Sequence, residues 1–311
     1  MRKTLSMIAF FILIFQLQEA EGEVLPYHDG ETVLGTVETY KTKGNESLIE
    51  IARKFDLGYN EITDANPALD PFVPGTGASV EIPTAWILPD TVLHEGIVIN
   101  VAELRLYFFY EVAGRKFVRT YPIGIGSEGH DTPIGEFKVI EKIVHPAWHV
   151  PESIKEEKPY LPDVVPPGPD NPLGSHAMRL SDPTILIHGT NKPFAVGRRA
   201  SHGCLRLYPE DIPSLFKSTP PGVRVTIVSQ PVKVGVKDGR VYVEAHRVDP
   251  EYDVDYFEDA VQMLTKKDLI GRVDTKKLHN AVEEKKGIPV DISDLKGRKI
   301  LLQNEMQQGM N

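Results

Sequence analysis

The sequence predicts a mainly β central domain, a β-sandwich or barrel-like sheet, with a small strand–helix–helix–strand unit before it and a mostly helical tail after it. Three observations carry this. Short β-branched and aromatic runs follow one another closely from Gly96 to Val144. Two short segments with helical apolar spacing lie between strand-like runs in residues 37–84. Helical spacing with caps returns after Tyr256. A chain of 311 residues is long for a single core, so several domains are expected. The divisions are residues 1–22, 37–84, 96–230 and 231–311.

In chain order, residues 1–22 read as a secretory signal. Arg2 and Lys3 precede the apolar run Met7–Phe15, and Ala20 and Gly22 supply small residues near a cut after Gly22. That run is far shorter than the roughly 20 residues that span a bilayer. In the next unit, Leu48, Ile51, Ala52 and Phe55 share one face of a helix over Glu46–Phe55. Asn60 is the expected cap of a second helix, which Asn66-Pro67 ends. Thr36–Tyr40 and Val80–Ile82 are the flanking strands.

Strands are then expected at Ile97–Asn100, Arg105–Tyr110, Lys116–Ile123 and Gly135–Val144. Trp148–Gly174 is proline-rich and aperiodic, and is expected to be a lid edging the substrate groove; His149 and His176 either line that groove or are structural or exposed residues. Ile185–Ile187 is a short strand leading to His188. A loop through Arg198 and Arg199 follows, then a helix from Glu210-Asp211 to Phe216 and a strand Val223–Val228. In the tail, Lys237-Asp238-Gly239 turns a hairpin. Helices are expected over Tyr256–Leu264 and Asp274–Lys285, and packing is their expected role.

The net charge is −9, and no basic block is interleaved with aromatics, which argues against nucleic acid as a partner. Cys204 is the single cysteine, with His202 two positions before it and His188 sixteen before it. A thiol reacts as its thiolate, which a nearby imidazole can generate. Gly203 permits close approach to a substrate, and the N–H groups of Gly203 and Cys204 could face a developing oxyanion. Two other readings stand beside the nucleophile: a buried structural thiol, or a zinc ligand set of His188, His202, Cys204 and His176. Export favours the nucleophile, because oxidising compartments pair structural cysteines and leave a reactive one single.

The run IHGTNKPFAVGRRASHGCLRL, residues 187–207, resembles the signature of the L,D-transpeptidase catalytic domain, the YkuD family, in its periplasmic ErfK/YbiS-like branch. Asp131–Phe137 resembles that family's T-P-x-G-x-F turn and strand. Pro146–Pro151 and Asn171–Gly174 resemble its longer-lidded branch. The resemblance covers about Gly96–Gln230. It implies that Cys204 attacks the carbonyl before the terminal D-amino acid of a peptidoglycan stem tetrapeptide, forming a thioester. His188 would act as base and then acid, oriented by a backbone carbonyl around Gly189. Ser201, His202 and Gly203 would shape the site, and Arg206, Trp148 and His149 would contact substrate. No cofactor and no metal are implied. An amine acceptor would give a cross-link, or attachment of an envelope protein through its lysine, and water would give carboxypeptidation.

Gly44–Ala52, read G-N-E-S-L-I-E-I-A, together with Ala65-Asn66-Pro67, resembles a LysM module, a family that binds N-acetylglucosamine-containing glycans. The implied partner is peptidoglycan, through both stem peptides and glycan strands. The implied location is the periplasm or cell wall, peripheral to a membrane at most.

Overall fold

The structure is a computed structural model and describes residues 24–28 and 30–294. The expected signal segment, residues 1–22, lies outside the described residues. Among the described residues no helix is long and apolar enough to cross a membrane.

The chain is organised around a mixed nine-stranded sheet. In spatial order its strands are Val24–Pro26, Arg115–Pro122, Arg105–Val112, Gly96–Asn100, Arg224–Val228, Gly135–Val144, His176–Leu180, Leu186–His188 and Leu205–Arg206. Two neighbour pairs are parallel, Gly96–Asn100 with Arg224–Val228 and Leu186–His188 with Leu205–Arg206. The remaining pairs are antiparallel.

The middle strands are covered on both faces, which is why they read as continuous apolar runs rather than alternating ones. Ile97, Ile99, Leu106 and Phe108 turn to one core, with Met178, Ile187, Leu205 and Leu215. Their neighbours Val98, Tyr107 and Phe109 turn to a second core, shared with Leu48, Ile51, Ile62, Val80 and Trp86. The N-terminal residues therefore pack directly on the outer face of the large sheet.

Those N-terminal residues form a strand Glu38–Lys41, helices Leu48–Lys54 and Tyr59–Ala65, and a strand Ser79–Ile82 antiparallel to the first. Ser47 and Glu50 close a reciprocal capping box on the first helix. The second helix differs from the expectation, because its cap is Gly58 rather than Asn60. Glu61 accepts from the Gly58 N–H, and a Cβ at Gly58 would fall 2.6 Å from Gly197 Cα, so only glycine fits that contact. Arg105, on the sheet, is fully buried and makes a bidentate pair with Glu61 at 2.7 and 2.9 Å.

The described part of the tail is less helical than expected. Val232–Lys237, Arg240–Ala245 and Val290–Asp291 form a three-stranded antiparallel sheet, and helices Tyr256–Lys266 and Thr275–Glu284 pack on it around Val234, Val243, Leu264 and Leu278. The third strand has only two residues, too few to show a period-2 pattern. Buried Lys233 joins the tail to the rest of the chain through Glu103 at 2.5 Å and the Ile87 carbonyl at 2.7 Å, and pairs within the tail with Glu244 at 3.0 Å.

Candidate active site

The far edge of the large sheet carries the candidate residues. Ile187 pairs with Leu205 and His188 with Arg206 in a parallel ladder. Residues opposite one another share a face, and successive residues alternate. Ile187 and Leu205 enter the core, which leaves His188, Arg206 and Cys204 together on the other face. Alternation thus brings a thiol and an imidazole sixteen residues apart onto adjacent edge strands. Ala177, paired with His188, shares this face. Its neighbour His176 turns the opposite way, with its ring 4.6 Å from Phe216. The ligand set of His188, His202, Cys204 and His176 is therefore not assembled.

His188 is 3% exposed. Its Nδ1 lies 2.5 Å from the Gly189 carbonyl oxygen. A carbonyl only accepts, so Nδ1 carries the proton and Nε2 keeps its lone pair. Burial, and then the charge of Arg206, lower the His188 pKa to about 3 against the opposing hydrogen bonds to Gly189 and Leu173. The imidazole is neutral at neutral pH. Gly174, at φ +67°, lets the end of the Trp148–Gly174 excursion pack against this segment, since a Cβ there would stand 2.9 Å from Thr190 N.

Cys204 is half-buried, and its Sγ points to the Thr184 carbonyl at 3.7 Å. Burial raises its pKa, countered in part by a backbone hydrogen bond at Leu186 and by the charges of Arg206 and Arg179. The resting pair is a neutral thiol and a neutral imidazole, and the thiol's hydrogen bond goes to Thr184 rather than to His188.

The turn before Cys204 is fixed from two sides. Ser201, 1% exposed, donates from Oγ to the Cys204 carbonyl at 2.6 Å. Gly203 sits at φ +93°, and its carbonyl accepts from Thr132 Oγ1 at 3.1 Å. Thr132 Oγ1 also accepts from the Gly126 N–H. Because C=O and N–H point opposite ways across a trans peptide, Thr132 sets the direction of the Cys204 N–H. The T-P-x-G-x-F motif identifies this stretch only as a turn and strand; the tie from Thr132 to Gly203 spans 71 residues and has no local sequence signal.

Arg206 is half-buried beside Cys204 and His188. Its Nη1 donates to the Ala200 carbonyl, and its buried Nε has no hydrogen-bond partner among the described residues. The two arginines of the preceding loop are engaged elsewhere. Arg198 lies over the Tyr59 ring at 3.5 Å, and Arg199 is held by Asp131 at 2.6 Å and by Asp249, from the tail, at 2.8 Å.

The Trp148–Gly174 excursion is ordered by a short ladder of Trp148–His149 with Val164–Val165, and by the helix Glu152–Glu157. Fully buried Asn171 ties its base, donating to the carbonyls of Pro146 and Val165 and accepting from Leu173 N. Trp148 and His149 lie in that ladder, and neither shares a hydrogen bond or ring contact with Cys204 or His188 among the described residues. His202 faces the helix Glu152–Glu157 instead, 3.4 Å from Glu157.

Residues 94–227 match YkuD, the L,D-transpeptidase catalytic domain. The chain is 39% identical over 262 residues to the probable L,D-transpeptidase YcfS of Escherichia coli strain K12, covering 79% of this chain and 80% of that one. It is 37% identical to the probable L,D-transpeptidase YbiS of the same strain, and 36% identical to the probable L,D-transpeptidase ErfK/SrfK of Salmonella typhimurium; each alignment covers 94% of this chain and 98% of the relative. The chain belongs to the YkuD family of L,D-transpeptidases.

Proposed function

We propose that this chain is a periplasmic peptidoglycan L,D-transpeptidase that works through a thioester on Cys204. The observation that carries the reading is the placement of Cys204 and His188 on one face of adjacent parallel strands, with the imidazole neutral and its Nδ1 proton given to Gly189. A neutral imidazole beside a neutral thiol suits general-base attack better than a preformed thiolate. Sγ leaves Thr184, gives its proton to His188 Nε2 and forms the S–C bond to the carbonyl before the terminal D-amino acid. The Cys204 N–H, set by Thr132 and Gly203, faces the tetrahedral oxygen. The C–N bond then breaks as His188 returns the proton to the leaving amine. An incoming amine, from a second stem peptide or an envelope protein, repeats these steps in reverse and releases Cys204.

Arg206 fits the role of a carboxylate anchor, because its half-buried guanidinium is close to the thiol and its Nε is unused. Ser201 and Gly203 hold the turn, and the lid with Trp148 and His149 borders the groove. The strand–helix–helix–strand unit at residues 37–84 is the glycan-binding, LysM-like part of the proposal. Its match to the resembling sequence in element order supports this.

Chromatography of muropeptides after incubation with a disaccharide-tetrapeptide tests the reading. Cross-linked dimers with released terminal D-amino acid support transpeptidation. Tripeptide alone would replace it with carboxypeptidation, and an unchanged tetrapeptide would overturn both.

A further inference from the structure

We propose that His130, His202 and Glu157 form a binding site for a late divalent transition-metal ion, with zinc as the best fit, which pins the lid to the catalytic loop. One donor atom from each of the three residues lies within 4.8 Å of the other two. They come from three separate segments: the turn after Gly126, the loop preceding Cys204, and the last position of the lid helix Glu152–Glu157.

The spacing is informative. His202 Nε2 stands 3.4 Å from Glu157 Oε1. A charge-assisted hydrogen bond would close to about 2.7–2.9 Å. Two ligands bonded to one ion at about 2.0–2.2 Å in a tetrahedral arrangement stand about 3.4 Å apart. The His130 and His202 rings are 4.4 Å apart between centroids and tilted by 59°, so they do not stack. Drawing donors as far apart as 4.8 Å in to the same spacing takes a movement of up to about 1.4 Å. Glu157 is exposed, at the end of a six-residue helix, and has the freedom to make it.

The donor chemistry selects the ion class. Two imidazoles and one carboxylate suit zinc and its neighbours, whereas calcium and magnesium require oxygen donors. Three protein ligands leave a fourth position for water. A bound ion would join the lid helix to a residue two places from Cys204, so lid opening would become sensitive to the metal. The site does not depend on the acyl-transfer reading, and zinc binding by a chain that fails to acylate would leave this inference standing.

The test uses an untagged chain carrying Cys204→Ser, which removes the thiol as a competing ligand. Zinc chloride is titrated calorimetrically, and hydrogen exchange of residues 152–157 is followed with and without the ion. One ion should bind, exchange in the lid helix should slow, and Glu157→Gln and His130→Ala should each weaken binding at least tenfold. Circular dichroism confirms that both variants fold. No binding at millimolar zinc, or equal affinity in the parent and both variants, would overturn the site.

Discussion

The Gly189 carbonyl oxygen lies 2.5 Å from Nδ1 of His188, the residue before it, so the imidazole is oriented by the backbone of its own strand end and not by an acidic side chain. This leaves Nε2 unprotonated and ready to receive the thiol proton. Burial, and then the charge of Arg206 opposite His188 in the ladder, keep it that way.

The pH behaviour follows. With His188 lowered to about 3 and the thiol raised, acylation should show no inflection from an imidazole between pH 5 and 8. Alkylation of Cys204 by iodoacetamide should still be rising past pH 9. A plateau near pH 7 would instead indicate a preformed thiolate–imidazolium pair.

The same lowering makes stability depend on pH. The unfolded chain protonates this histidine near 6.5, and the folded chain does so only near 3. Stability is thus lost as pH falls below 6.5, by about 2 kcal/mol between pH 7 and 5 from this group alone. His188→Gln should remove that share, read as a smaller shift of the urea midpoint over the same pH range.

Thr132→Val deletes the hydroxyl that holds the Gly203 carbonyl and Gly126 N–H. Acylation should fall roughly 10- to 100-fold, about the loss expected for a weakened oxyanion donor. Thr132→Ser should restore most of it. Equal rates in the Val variant and wild type would remove Thr132 from the site.

Glu61→Ala strands a fully buried Arg105 and should cost about 3–5 kcal/mol. Because residues 48–86 and the large sheet share one core, thermal melting should remain a single transition at a lower temperature. A separate early transition of the N-terminal unit would contradict the shared packing.

Much of this was legible in the sequence because it is local. The strand Gly135–Val144 has the bounds expected of it, and the Lys-Asp-Gly turn is enough to locate the hairpin that Val232–Lys237 and Arg240–Ala245 form. His188 and Cys204 stood out as single chemical groups within a motif. What escaped depends on contacts distant in sequence. Gly58 takes the cap from Asn60 because Gly197 packs against it, 139 positions on. Arg199 reads as a free cation until Asp249 reaches it from the tail. Thr132 and Glu157 carry no signal of their own, since the residues they meet, Gly203 and His202, lie on another loop.

The most direct test of the central claim is intact-protein mass spectrometry of the chain with a purified disaccharide-tetrapeptide, beside Cys204→Ala. The expected result is an adduct equal to the donor less its terminal D-amino acid, mapped to Cys204 and absent from the variant. An adduct that persists in the Ala variant, or turnover without Cys204, would contradict it.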